Sequence, residues 1–282
     1  MRITIASGKG GTGKTTIAVN LAMAAYEEDR DLCLIDADVE EPNCHVFLQE
    51  DFEGEEEVSI PVPFIDGERC NNCGLCSDFC AFNALACVGK EVVLFPELCH
   101  GCGACWLICP EGAIKEQPRG IGKLQWSLTK GIPFVRGILN VGEPMAPPVI
   151  SAALEKAPKV GLRIVDGPPG TSCSMVETSR GSDLLCLVAE PTPFGLNDLR
   201  LAVEVARELS IPLAVVINKA DDNERDIEEF CSSRAIPVVA RFPWRREAAE
   251  VYARGGLLYG KQEGAKEEYK KLLKVLTERT WE

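Results

Sequence analysis

Cys70, Cys73, Cys76 and Cys80 recur as Cys99, Cys102, Cys105 and Cys109, each displaced by 29 residues. Gly74 recurs as Gly103 in the same register. No other feature constrains the chain as strongly, because eight thiols in two registered copies demand a shared role. The pattern predicts a small repeated unit with an internal two-fold. Fourteen cysteines occur among 282 residues, and nine of them lie between positions 58 and 120. That density is too low for a disulfide scaffold and too high for core packing alone. Met1 leads directly into Arg-Ile-Thr-Ile-Ala, so no targeting segment and a reducing, cytoplasmic setting are expected. Thiols there are free, catalytic or metal-bound.

Each copy reads C-x2-C-x2-C-x3-C. Three thiolates at this spacing can wrap one face of a cubane while the fourth is directed elsewhere. Zinc is the alternative occupant, although its knuckles usually pair across a longer gap. The block resembles bacterial two-cluster ferredoxins, in which the fourth cysteine serves the other cluster. The resemblance implies one [4Fe–4S] cluster on Cys70, Cys73, Cys76 and Cys109, and a second on Cys99, Cys102, Cys105 and Cys80. Cys109-Pro110 keeps that family's usual ending, whereas Cys80-Ala81 departs from it.

The cysteine block interrupts a different architecture. Short apolar runs at Ile3–Ala6, Leu32–Ile35, Leu162–Val165, Leu184–Ala189, Leu213–Ile217 and Val238–Ala240 do not alternate with polar residues. Strands buried on both faces read this way. Helical patterns at Thr16–Tyr26, Leu196–Leu209 and Ile227–Ser233 lie between them. The expected fold is α/β, a doubly wound, mostly parallel sheet formed by residues 1–57 and 121–282. Residues 58–120 are the inserted small α+β, ferredoxin-like domain. The acidic run Asp51–Glu57 and the pair Pro61 and Pro63 read as the linker into it, with the exit near Pro118–Gly122.

The first strand is followed by Gly8-Lys9-Gly10-Gly11-Thr12-Gly13-Lys14-Thr15-Thr16 and then a helix. This is G-x4-G-K-[ST] in the strand–loop–helix context of a P-loop. Its amides and the helix N-terminus would cradle phosphates. Lys14 would pair the β- and γ-phosphates, and Thr15 would hold Mg2+.

The additional Lys9 makes the loop similar to the deviant P-loop of MinD, ParA, Mrp-type cluster carriers and the nitrogenase iron protein. That resemblance implies an ATP-dependent homodimer in which Lys9 reaches the partner's phosphates. It also implies that Asp38, in Ile35-Asp36-Ala37-Asp38, orients the attacking water and serves Mg2+ with Thr15 and Asp166, while Asp36 supports Mg2+ indirectly. Asp166, in Val165-Asp166-Gly167-Pro168-Pro169-Gly170-Thr171, would hold a Mg2+-bound water in the switch II position. Asn218-Lys219-Ala220-Asp221 is similar to the base-reading N-K-x-D of GTPases; relatives use the Asn for adenine, so Mg-ATP is expected, with GTP the alternative. Arg241–Trp244, with Pro243, would pack against the base. The most specific resemblance is to MinD-superfamily ATPases with an inserted ferredoxin domain. It is carried by Asp38–Cys44, the two cysteine motifs, Gly142–Met145 and Glu190–Gly195.

The implied function is ATP-gated electron transfer to a redox partner. Cluster delivery to an acceptor protein and MinD-like positioning are the alternatives. A net charge of −13 argues against nucleic-acid partners. Cys33, Cys186 and Cys87 read as small core hydrophobes. Cys173, seven residues after Asp166, matches the spacing of a cluster ligand in the nitrogenase iron protein, but a buried packing thiol is the expectation. Tyr269, Leu272, Leu273 and Leu276 share one face of a C-terminal helix within Lys266–Trp281, expected to dock on the sheet rather than a membrane.

Overall fold

The computed structural model describes residues 1–48, 51–220 and 223–279. The strands are β1 (Arg2–Ser7), β2 (Leu32–Asp36), β3 (Gly54–Ile65), β4 (Leu85–Val88), β5 (Glu91–Leu94), β6 (Ile114–Thr129), β7 (Ile132–Leu139), β8 (Leu162–Pro169), β9 (Leu184–Ala189), β10 (Leu213–Ala220) and β11 (Val238–Pro243). The helices are α1 (Lys14–Glu27), α2 (Cys44–Leu48), α3 (Leu75–Asp78), α4 (Ala104–Leu107), α5 (Pro147–Lys156), α6 (Cys173–Ser179), α7 (Pro193–Glu208), α8 (Arg225–Ser232), α9 (Arg246–Ala253) and α10 (Ala265–Glu278).

Nine strands form one sheet in the order β11-β10-β9-β1-β8-β2-β7-β6-β3. The seven from β11 to β7 pair in parallel, and β6 and β3 continue the sheet antiparallel. Burial on both faces explains the unbroken apolar runs. Leu32 and Leu34 pack with α1 and α10, whereas Cys33 and Ile35 pack with α5 on the opposite face. A third core, at the other end of that second face, joins Leu185, Leu187, Val215 and Ile217 to α7 and α8. This is an α/β P-loop fold with a mostly parallel sheet. Tyr269, Leu272, Leu273 and Leu276 of α10 are buried in the core shared with α1, as their spacing implies. Among the described residues no helix is long and apolar enough to cross a membrane.

The segment read as a linker is instead a strand. Gly54–Ile65 pairs with β6 along twelve positions, and Val58, Ile60 and Val62 alternate inward. Pro61 and Pro63 are compatible with this because β3 is the sheet edge, where a missing N–H costs no ladder bond on the open side. Strand β7 escapes a reading by apolar runs because Pro133, Arg136 and Gly137 interrupt it.

Between β3 and β6 the chain forms two matching turns of helix, α3 and α4. Each opens on a left-handed glycine, Gly74 at φ 78° and Gly103 at φ 80°. The hairpin β4-β5 joins the two halves.

Candidate functional site

The P-loop connects β1 to α1 at the C-terminal edge of the parallel strands. Gly11 and Gly13 take left-handed φ values of 77° and 95°, which only glycine adopts without strain. A Cβ on Gly8 would lie 2.2 Å from the carbonyl oxygen of Asp198, so α7 packs directly on the loop. Gly10 and Gly11 are exposed, Thr15 and Thr16 are half-buried at the start of α1, and Lys14 is buried. The Thr12 hydroxyl is buried with no hydrogen-bond partner.

Three further side chains meet the loop. The Asn218 amide donates to the Thr12 carbonyl at 2.7 Å. Lys219 donates to the Gly11 carbonyl at 2.9 Å and pairs with Glu190. Lys9 pairs with the same Glu190 at 2.9 Å, within its own chain. Burial would push the Glu190 carboxyl up, but hydrogen bonds from Lys219 and Lys9 outweigh it and hold the group low. Pro243 is exposed at the end of β11, beside Trp244, which is 61% exposed. Asp221 lies outside the described residues.

Parallel pairing of β2 and β8 sets Asp36 directly beside Asp166. Both are buried. Asp36 accepts the Cys44 amide at 2.9 Å and the Asp38 amide at 3.3 Å. The Cys44 thiol donates to Oδ2 of Asp166 at 3.4 Å, while Oδ1 of Asp166 has no hydrogen-bond partner. One ligand atom each from Asp36, Cys44 and Asp166 lies within 4.8 Å of the others. Burial first, then the neighbouring Asp166 charge, holds Asp36 well above the usual carboxylate range. Burial and Asp166 likewise push Asp38 up to about 7, against the pull of Lys14. Burial also raises Asp166, opposed by Thr15, Lys14 and the Cys44 thiol. Three crowded carboxylates share the single buried charge of Lys14, so the pocket is short of positive charge, the condition a divalent cation relieves.

The eight repeated cysteines line two cavities. One is bounded by Cys70, Cys73, Cys76 and Cys109. The other is bounded by Cys80, Cys99, Cys102 and Cys105. The fourth thiol of each motif therefore faces the cavity of the other motif. Both fourth thiols accept an amide four residues on, Ala84 to Cys80 and Ala113 to Cys109, each at 3.3 Å. Four thiols around one cavity, with amide donors already aimed at sulfur, fit the donor set of a [4Fe–4S] cluster.

The remaining cysteines divide. Cys33 and Cys186 are fully buried in the core. Cys87, read as a core thiol, is exposed because β4 belongs to a two-stranded hairpin with little behind it. Cys173, read as a buried packing thiol, is exposed at the first turn of α6. Cys44, Glu190 and Lys219 all lie inside motif segments, but no spacing signal singles them out as site residues.

The sequence profile of the CobQ/CobB/MinD/ParA nucleotide binding domain matches residues 3–258. The uncharacterized protein MJ0579 of Methanocaldococcus jannaschii is 30% identical over 262 residues, which cover 90% of each chain. MJ0578 of the same organism is 30% identical over 225 residues, 79% of each chain. The cell division ATPase MinD of Pyrococcus furiosus superposes with a TM-score of 0.62 at 17% identity, covering 99% of both chains, a likeness of fold. The P-loop cradle, the paired strand-end carboxylates and the profile match converge on one assignment: the chain belongs to the CobQ/CobB/MinD/ParA nucleotide binding domain family.

Proposed function

We propose that this ATPase couples nucleotide-driven homodimerisation to electron transfer through two [4Fe–4S] clusters. The observation that carries the reading is the grouping of eight thiols into two four-thiol cavities, each drawing on both motifs. Cys70, Cys73, Cys76 and Cys109 would hold one cluster, and Cys80, Cys99, Cys102 and Cys105 the other. When bound, these groups supply one-electron relay.

The chain's own residues do the rest. Gly8, Gly10, Gly11, Gly13 and Thr16 contribute to the phosphate cradle, with Lys14 on the β- and γ-phosphates of Mg-ATP. Thr15, Asp38 and Asp166 hold Mg2+ and its waters, and Asp38 orients the attacking water. Lys9 leaves Glu190 to reach the partner's phosphates. Asn218 and Pro243 flank the base. Packing continuity links the two halves: Val39, next to Asp38, shares one core with Ala84 and Cys99. A movement at Asp38 is therefore transmitted to the wall of a thiol cavity through close-packed side chains.

The test is an anaerobic redox titration of the full chain by electron paramagnetic resonance, with Mg-ADP and then with a non-hydrolysable ATP analogue. A nucleotide-dependent shift in potential supports coupling. Unchanged potentials remove it and favour the second reading, cluster delivery to an acceptor protein. That reading draws on the solvent-facing thiols Cys73 and Cys102.

A further inference from the structure

The two thiol cavities are related by the 29-residue repeat, but the side chains that close them differ. Beside the cavity of Cys70, Cys73, Cys76 and Cys109, Asn71 donates its amide to the Glu111 carboxylate at 3.0 Å. The repeat-equivalent positions at the other cavity are His100 and Phe82. These two rings stack, with centroids 3.8 Å apart and planes inclined by 9°. A carboxylate thus lines one cavity, and an aromatic pair replaces it at the other.

The cavities also differ in their distance from the ATPase core. Ile65 and Ile114, paired at the far end of the β3-β6 ladder, line the Glu111 cavity. Pro63, two residues closer to the main sheet, lines the other. Behind it, a Cβ on Gly101 would meet the Pro61 carbonyl at 3.0 Å, and Cys99 joins the core that holds Val39 and Val149. The Glu111 cavity is therefore distal and the Phe82–His100 cavity proximal.

Adding an electron beside a fixed negative charge is disfavoured. Two other contributions to the potential match at the two sites. The amide donors to Cys80 and Cys109 have equal lengths of 3.3 Å, and each site keeps one thiol exposed, Cys102 or Cys73. The nearby Asp66 charge at the tip is paired, with Arg69 at 4.0 Å and Lys115 at 3.8 Å. Closer protein backing at the proximal site opposes the difference, but a full charge in the lining outweighs it while both sites stay wetted.

We propose that Glu111 makes the distal four-thiol site the harder of the two to reduce, so that an electron shared between the sites rests on the proximal one. The inference deepens the proposed electron-transfer function and rests on it. It places electron entry at the distal tip and electron storage beside Val39, where the nucleotide state acts.

The experiment titrates the full chain, isolated anaerobically with its iron, using dithionite and mediators with detection by electron paramagnetic resonance. Two separate midpoint potentials are expected. Glu111→Gln, an exposed substitution, raises the lower one by three- to tenfold in the one-electron equilibrium, where tenfold is about 59 mV, and leaves the higher one in place. Phe82→Glu, the mirror substitution, lowers the higher one. Coincident midpoints, or a Glu111→Gln protein in which the lower midpoint does not rise, overturn the inference. A preparation without iron and sulfide overturns the cluster reading itself, and the inference with it, and is told apart by metal analysis before any titration.

Discussion

The Cys44 thiol lies 3.4 Å from Oδ2 of Asp166, although the two residues are 122 positions apart in the chain. This hydrogen bond ties the first residue of α2 to the strand-end carboxylate of β8. Burial, then the Asp36 and Asp166 charges, pushes the thiol well above its ordinary range, so it stays protonated and donates.

Cys44→Ala removes that donor, and the Asp166 carboxyl moves further up. Its ionised fraction at a given pH falls, so the acid limb of the ATP-hydrolysis profile shifts to higher pH. Cys44→Ser, which keeps a donor, restores most of the wild-type limb. Rate–pH profiles of the three proteins decide this. A limb that stays in place in Cys44→Ala contradicts the role.

Asp38 carries a stability signature. Its carboxyl is raised to about 7 in the folded chain, chiefly by burial and then by Asp166, whereas an unfolded Asp titrates near about 3.9. A raised group stabilises the fold fully below the unfolded value and loses that contribution as pH climbs through the folded one. The nucleotide-free protein therefore loses stability between about pH 4 and pH 7. Asp38→Asn escapes that loss and is more stable than wild type at pH 8 by on the order of 1–3 kcal/mol. Its hydrolysis rate falls by about a hundredfold or more. Urea unfolding at pH 5 and pH 8 checks the first point; parallel pH dependences in the two proteins would refute it.

Gly13→Ala tests the loop geometry. An added Cβ would lie 2.2 Å from the Asn218 amide nitrogen at a residue with φ 95°. Either the Asn218–Thr12 bond breaks or the loop opens, at a cost of about 1–3 kcal/mol. Nucleotide affinity measured by calorimetry drops at least tenfold. Wild-type affinity with unchanged thermal stability would show that the loop tolerates the change.

The crossed grouping of thiols makes a genetic prediction. Cys109→Ser resembles Cys70→Ser in its resonance spectrum and iron loss, not Cys99→Ser, its neighbour in the same motif. Cys80→Ser pairs with Cys99→Ser in the same way. Each variant loses about half the iron. Spectra that sort by motif rather than by cavity would show that each motif serves its own site.

Several of these residues were readable along the chain and others were not. The P-loop announces itself because its function is performed by consecutive backbone amides, so the positions that matter are adjacent. The apolar strands announce themselves because both their faces are covered. Strand β3 did not, because an edge strand tolerates Pro61 and Pro63 and exposes the consecutive Glu55, Glu56 and Glu57, which imitate a linker. Cysteine is usually buried, and only tertiary packing reveals that Cys173 and Cys87 are exposed.

What the chain by itself determined is the local chemistry: phosphate-cradling glycines, a lysine where a helix begins, and two registered sets of thiols. Spacing along one segment constrains atoms only a few residues apart. The tertiary structure decided which distant groups meet. Parallel pairing of β2 with β8 brought Asp36 beside Asp166 and left room for the Cys44 thiol. The long β3-β6 ladder put one thiol cavity against the ATPase core and carried its partner to the tip. The repeat made the two cavities alike in their thiols, but the residues that close them differ, Asn71 and Glu111 at one and Phe82 and His100 at the other. Electrostatics acts through space, so the difference between Glu111 and Phe82 acquires meaning only once each is folded against its thiols.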